Sequence, residues 1–515
     1  DHLRQVLAAE SGHLQAADLL VLVLRRLGRD EAAAAVLADT RTLDPLDFWA
    51  LDLAGQALPC DAQTMLDVAL DYAAAGFVAE ALSMLDRAES RVSSSPAGAG
   101  NVEPLIGYHR AHILRTAGRL AEADAAAWAA STAVTDLCLP GRPADADALR
   151  SALTARPDDA CAAGLLGHWL YAHDREADAI SMWQRSADLD ATDPVIWRNL
   201  GLAAVNVLGD LDAAGEHYRR AVALAPEDPR LWFEVDQLAA QRGTPVTERV
   251  DVLSARGEII ARRDDLTAVL AELLILTDRP EEALALLNGR VFQPWEGGEG
   301  RVLAVWEAAN ARLARTAMAQ DRPADAVRCL ESALDPPRNL GEARHLLVNS
   351  ADLHLALGDA QAAAGSASAV RSWRRAADAD GDFQNMSTRA FSEMTYFSVI
   401  ACRRLGQDAK AAALQDGLAG YVDLLDATPA VADYFATSLP TMLLFHEDLQ
   451  FRQVTTVLFL RAQLCVLRGD PEGAIIRLNE VQSRDPAHRL GMELLEELVS
   501  GHSAVGGPVT SDAAR

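Results

Sequence analysis

Two histidines three residues apart, His109 and His112 in the stretch GYHRAHILR, put two imidazoles on one face of a helix. That is the beginning of a zinc site, which needs at least a third ligand. None stands nearby at ligand spacing, so the pair reads as groove or surface histidines. His168 and His173 flank Trp169 and Tyr171, but a five-residue interval turns them to different faces of a helix. The carboxylates Glu393, Asp433, Glu447 and Asp448 fall among aromatics, where glycoside hydrolysis would need an acid and a base facing one cavity. Each equally suits a helix cap or a solvated charge, and a chain with 74 acidic residues brings carboxylates near aromatics by chance. No phosphate-cradling glycine loop and no Gly-x-Ser-x-Gly elbow is present. The expectation is a chain with no catalytic centre, cofactor or metal of its own.

Composition narrows the setting. Hydrophobic residues make up 50% of 515 but aromatics only 5%, so the apolar content is mostly Ala, Leu and Val, good filling for helices. A formal charge of −27 argues against a nucleic-acid partner, whose phosphates need a basic surface, and fits a solvated acidic face. Lys410 is the only lysine, which disfavours a lysine-lined groove for acidic peptide tails. Cys60, Cys138, Cys161, Cys329, Cys402 and Cys465 are scattered, as expected of small buried hydrophobes in a reducing cytoplasm. No apolar run is long enough to suggest a membrane span. Asp1 leads almost directly into a helical pattern, which suggests a chain cut from a longer protein.

The elements that must carry any site are helical hairpins. A Gly or Asp at a turn is followed five residues later by Ala at Gly28/Ala33, Gly76/Ala81, Gly118/Ala123, Asp174/Ala179 and Gly209/Ala214. The series continues at Asp278/Ala283, Asp321/Ala326, Gly358/Ala363, Gly406/Ala411 and Gly469/Ala474. Ten such pairs between apolar runs of helical period argue for stacked hairpins of irregular length. The clearest copy has Trp197, Leu200, Gly201, Ala214, Tyr218, Ala221 and Pro226, and Leu166-Gly167 precedes Leu200-Gly201 by 34 residues. Gly201 to Gly209 is one residue longer than the pattern allows. These residues resemble the tetratricopeptide (TPR) signature. The resemblance implies an all-α, TPR-like α-solenoid, a right-handed superhelix of about ten to thirteen hairpins, several irregular. Trp197 and Tyr218 are expected to be buried.

Residues 1–92 read as N-terminal hairpins, 105–334 as a central array most regular at 161–229, and 342–500 as aromatic-rich C-terminal hairpins. Residues 93–104 and 288–301 read as linkers and 501–515 as a disordered tail. Ten of the eighteen Phe and Tyr residues lie between 381 and 459, interleaved with short polar residues. Phe383, Gln384, Glu393, Tyr396, Tyr434, Phe435 and Phe445 are the candidate partner-binding residues, against the simpler reading of a thicker core. The stretches GEARHLL, GDFQ, FSEMTYFS and DYFATSLPTMLLF resemble the C-terminal TPR half of large bacterial proteins whose N-terminal half is a β-rich domain of unknown function. The function expected is therefore a non-catalytic scaffold for a protein, a peptide or an N-terminal domain of the same protein. The alternative is the accessory helical half of a carbohydrate-active enzyme, implied by that second resemblance.

Overall fold

A computed structural model describes residues 1–92, 100–295, 297–384, 387–431 and 444–501. Among these are helices joined by short turns, plus one small antiparallel β-hairpin, Asp382–Gln384 with Ser387–Arg389. The polar GDFQ stretch forms this hairpin where the sequence suggested helix alone. The chain is an all-α solenoid of helical hairpins and divides into two compact units, Asp1–Ala203 and Ala204–Arg515. In the first unit the pairs are Leu14–Arg26 with Asp30–Leu43, Ala62–Ala74 with Val78–Val92, Glu103–Thr116 with Leu120–Ser131, and Ala160–Ala172 with Glu176–Leu189. The Pro143–Ala155 helix stands between the last two pairs, against their first helices. In the second unit five pairs run from Asp264–Leu276 with Pro280–Asn288 to Leu449–Leu467 with Pro471–Arg484, and the Arg489–Val499 helix follows. No helix among the described residues is long and apolar enough to cross a membrane.

The turn residues explain why the hairpins form. Gly28, Gly76, Gly118, Gly209, Gly406 and Gly469 all have positive φ, as do Asp174, Asp278 and Asp321. Glycine reaches that region without strain, and aspartate is among the side chains that tolerate it best. The alanine five residues on is buried at all nine turns, where the second helix crosses the first. The tenth pair does not fit. Gly358 lies inside the Ala351–Ala363 helix, the turn is at Gly365 with φ +73°, and Ala363 is exposed. Gly358 instead lies where a Cβ would meet Trp373 Cδ1 at 2.4 Å. Gly167 does the same against Trp183 Cδ1 at 2.5 Å. In each hairpin the missing Cβ makes room for the tryptophan of the second helix.

The extra residue before Gly209 also has a physical outcome. The Pro194–Ala203 helix ends and Ala204–Leu208 widens into a π-helical turn, which takes up an added residue without breaking the chain's helical course. Trp197 is 5% exposed and its indole donates to Ala191 O at 2.8 Å, while Tyr218 is 1% exposed and donates to Glu234 at 2.9 Å. Residues 289–295 are more than a linker. Phe292 is buried and its N–H donates to Asn339 O at 2.8 Å, pinning the loop to the 3₁₀ turn Arg338–Leu340. Cys138 and Cys402 are buried, but the other four cysteines are only half-buried.

The same substitution is expected to have opposite signs at two helical glycines of the second unit. Gly358→Ala pushes a methyl into Trp373 and should destabilise by ~1–3 kcal/mol. Gly420→Ala meets no atom within 4 Å and should stabilise by ~0.5–1 kcal/mol through helix propensity. Urea titration of the two variants checks this, and equal signs would contradict the packing.

Candidate functional site

The described candidate residues of the C-terminal stretch, Phe383, Glu393, Tyr396 and Phe445, lie in different settings. Tyr396 is 3% exposed inside the core that joins the Ala369–Ala377, Met394–Arg404 and Leu449–Leu467 helices. Phe445 is 5% exposed and meets the Tyr218 ring edge-on at 6.3 Å. Phe383 is half-buried on the β-hairpin and stacks on His345 at 4.1 Å. Gln384 pairs in register with Ser387, and its side chain lies outside the described residues, as do Asp433, Tyr434 and Phe435. Glu393 is half-buried at the start of the Met394–Arg404 helix, and its carbonyl accepts from Gln463 at 3.1 Å. Of the carboxylates weighed for chemistry, Asp448 caps the Leu449–Leu467 helix and Glu447 pairs with Arg452 at 2.9 Å. Among the described residues, no group of three or more His, Cys, Asp or Glu is placed to hold a metal.

In the second unit the chain covers its own first-helix face. On the Arg489–Val499 helix, Glu493 takes both arms of Arg315 at 2.6 and 3.0 Å and also accepts from Arg489, and Glu496 takes Arg312 at 2.6 Å. Burial would raise the Glu493 carboxyl, but Arg489 and Arg315 outweigh it and hold it below its ordinary range. Phe459 meets His488 at 4.7 Å, and Leu494 joins the same core as Tyr396. A second segment is gripped at the π turn. The Asn206 amide donates to Leu444 O at 3.1 Å and accepts from His446 N at 2.9 Å, holding that stretch of backbone at two points.

In the first unit the corresponding face stays open among the described residues. A groove of about 680 Å³ runs between the Ala62–Ala74 and Glu103–Thr116 helices and the start of Pro143–Ala155. One wall is set by the buried pair His109 Nε2 and Asp145 Oδ1, 2.7 Å apart, so His109 is no surface histidine. Burial alone would push the Asp145 carboxyl up. The His109 hydrogen bond and the N–H groups of Arg142 and Gly141, each at 2.9 Å, bring it below its ordinary range instead. Arg142 reaches back to Asp67 across the groove. His112 lines the floor, and its Nδ1 is buried without a hydrogen-bond partner among the described residues. Burial, and then His109, pushes its pKa down, so the ring is neutral near pH 7. Asp71 has no cationic partner among the described residues, and Asp147 has only Arg150 at 3.4 Å. His168 and His173 serve elsewhere: His168 accepts from the Trp183 indole at 2.8 Å and His173 stacks on Trp169 at 4.0 Å.

No known protein-family model matches the chain. It is similar to a tetratricopeptide repeat protein from Parabacteroides merdae ATCC 43184, at 14% identity over 58% of this chain and 98% of that one, with a TM-score of 0.26. It is also similar to MamA of AMB-1, at 18% identity over 35% of this chain and 82% of that one, TM-score 0.20. MamA from Desulfovibrio magneticus RS-1 aligns at 17% identity over 41% of this chain and 94% of that one, TM-score 0.17. Overlaps of this size leave the TPR-like character to the hairpins themselves, with their positive-φ turns, buried alanines and glycine–tryptophan contacts.

Behind Asp71 the acidity continues into the core. Asp18 is 1% exposed, with Oδ1 unpartnered among the described residues, and burial followed by Asp47 pushes its pKa up to about 8. A raised carboxyl binds more protons folded than unfolded. Its full contribution is therefore present below the unfolded pKa of about 4 and is lost as pH rises through about 8. Asp18→Asn should remove that loss, gaining on the wild type by about 1.4 kcal/mol per pH unit within this window. Thermal unfolding of both proteins between pH 5 and about pH 9 checks the sign, and parallel curves would contradict it.

Proposed function

We propose that the chain is a non-catalytic binding scaffold and that the first-unit groove takes a polypeptide segment bearing Lys or Arg side chains. The observation that carries this is the contrast between the two first-helix faces. In the second unit that face is occupied by the Arg489–Val499 helix, whereas among the described residues the groove over His112 is uncovered and lined by Asp67, Asp71 and Asp147 against the single cation Arg142. Asp67 is engaged by Arg142, so Asp71, and Asp147 with only Arg150 at 3.4 Å, are the acceptors left for a guest cation. Partial desolvation of Asp71 already raises its pKa, and a bound ammonium or guanidinium would reverse that cost. Leu70, Val78 and Ile113 supply apolar contact between the charges. The Asn206 grip on residues 444–446 supports the same mode, because there too a side chain of the helical array reads a polypeptide backbone.

A fluorescein-labelled peptide alternating Lys with Leu is expected to bind, and its acidic counterpart with Glu for Lys is not. The Asp71→Asn/Asp147→Asn variant should lose at least about tenfold in affinity, roughly 1.4 kcal/mol, and binding should weaken as salt rises. Fluorescence anisotropy decides. Equal affinity of variant and wild type, or equal binding of both peptides, would contradict the reading.

A further inference from the structure

A second feature of the surface is positive in a strongly negative chain. The Ala369–Ala377 helix buries Ala369, Ser372, Trp373 and Ala376, which leaves Arg371, Arg374 and Arg375 on the opposite, exposed face. Elsewhere arginines at helix starts are tied to an acid three residues on, as in Arg119–Glu122, Arg175–Asp178, Arg279–Glu282 and Arg322–Asp325. Arg371, Arg374 and Arg375 have no ion pair or side-chain hydrogen bond among the described residues. With 74 acidic against 47 basic residues available, three unpaired guanidiniums within five positions are not what surface pairing would leave.

These arginines border a cavity of about 750 Å³. Its other wall is the segment from Arg344 to Ser350, held in place at several points. Arg344 is anchored to Glu307 and to Ala333 O. His345 stacks on Phe383, and Asn349 donates to Gly381 O at 2.9 Å and to Asp382 at 3.0 Å through its backbone. His354 lies in the cavity with Nδ1 buried and unpartnered among the described residues. Burial, then Arg375 and Arg344, pushes its pKa down to about 4, so the ring beside these arginines is neutral near pH 7. Two carboxylates also line the cavity: Asp378 is taken by Lys410 at 2.8 Å, and Asp380 is exposed. Beside the cations the wall exposes Leu346 at 97% and Leu347 at 57%.

We infer that this cavity is a binding site for an acidic peptide segment, whose carboxylates engage Arg371, Arg374 and Arg375 while an apolar side chain covers Leu346 and Leu347. A bare anion would satisfy the guanidiniums but leave both leucines in water, and an uncharged apolar partner would bury the arginines unpaired. The site uses the second helix of its hairpin and the loop before the first, so it is separate from the first-helix groove proposed above and stands or falls independently of it.

The probe is a short fluorescein-labelled peptide rich in Glu with one Leu and one Phe. Binding to the full chain is expected by anisotropy, weakened at least tenfold in the Arg371→Ser/Arg375→Ser variant, whose thermal stability should stay near wild type because both positions are exposed. Replacing the Leu and Phe of the peptide by Ser should also weaken binding. In the wild type the His354 imidazole, followed by NMR, should titrate at higher pH when the peptide is bound, because the carboxylates offset Arg375. Undiminished affinity in the variant would overturn the assignment. So would displacement of the peptide by an equal concentration of inorganic phosphate, or preferential binding to phosphatidylserine vesicles.

Discussion

Two helices joined by a tight turn stack closely only where the residues at their contact are small, and a glycine lets them receive a large ring. Here that contact is explicit: Gly167 faces Trp183 and Gly358 faces Trp373, each leaving under 3 Å for a Cβ that is not there. A large ring is thereby buried in a chain whose aromatic content is only 5%. The same economy appears where Gly107 lies over Ala130 and Gly417 over Phe391. Because each such contact is local to one hairpin, hairpin can follow hairpin without a central core, and a long chain stays folded on few aromatics. The faces turned away from these contacts are what remain for partners.

What the two units do with those faces differs. In the second unit an ionic cluster of Arg315, Arg489 and Glu493 holds the Arg489–Val499 helix against the first helices, with Leu494 filling the core beneath. Such a cluster is desolvated, so its net energy is modest, but breaking one partner would strand a buried charge. That asymmetry makes it a fastening for a helix that hydrophobic contact already places. In the first unit the charges along the groove are not closed off in this way. Asp145 and His109 satisfy each other behind the wall, while Asp71 lines the groove with no cationic partner among the described residues and the buried His112 Nδ1 has no hydrogen-bond partner among them.

The hairpins were legible because turns and close contacts are local, and nine of ten turn residues sit where spacing puts them. Gly358 was misread since a glycine used for packing and a glycine used for a turn are identical in sequence, and only the positive φ at Gly365 separates them. The surplus residue before Gly209 was visible as a count, but its form as a π turn that positions Asn206 was not. The aromatic density after Gly381 marked a region without resolving its roles, since Tyr396 and Phe445 are covered by helices and loops remote in sequence. The groove histidines were legible, but not their partners, for the same reason. His109 and Asp145 are 36 residues apart, and the only local hint was the His109/His112 pair itself.

The central claim is that the first unit presents an open acidic face while the second unit's equivalent face is held shut by its last helix. Photo-cross-linking locates a guest directly: a Lys-rich peptide carrying a diazirine is irradiated with the full chain and the adducts are mapped by mass spectrometry. The account predicts adducts within Ala62–Ala74 and Glu103–Thr116, reduced by Asp71→Asn/Asp147→Asn. Adducts concentrated on Arg301–Ala319 and Met394–Arg404 would contradict it, because they require the Arg489–Val499 helix to have left its place.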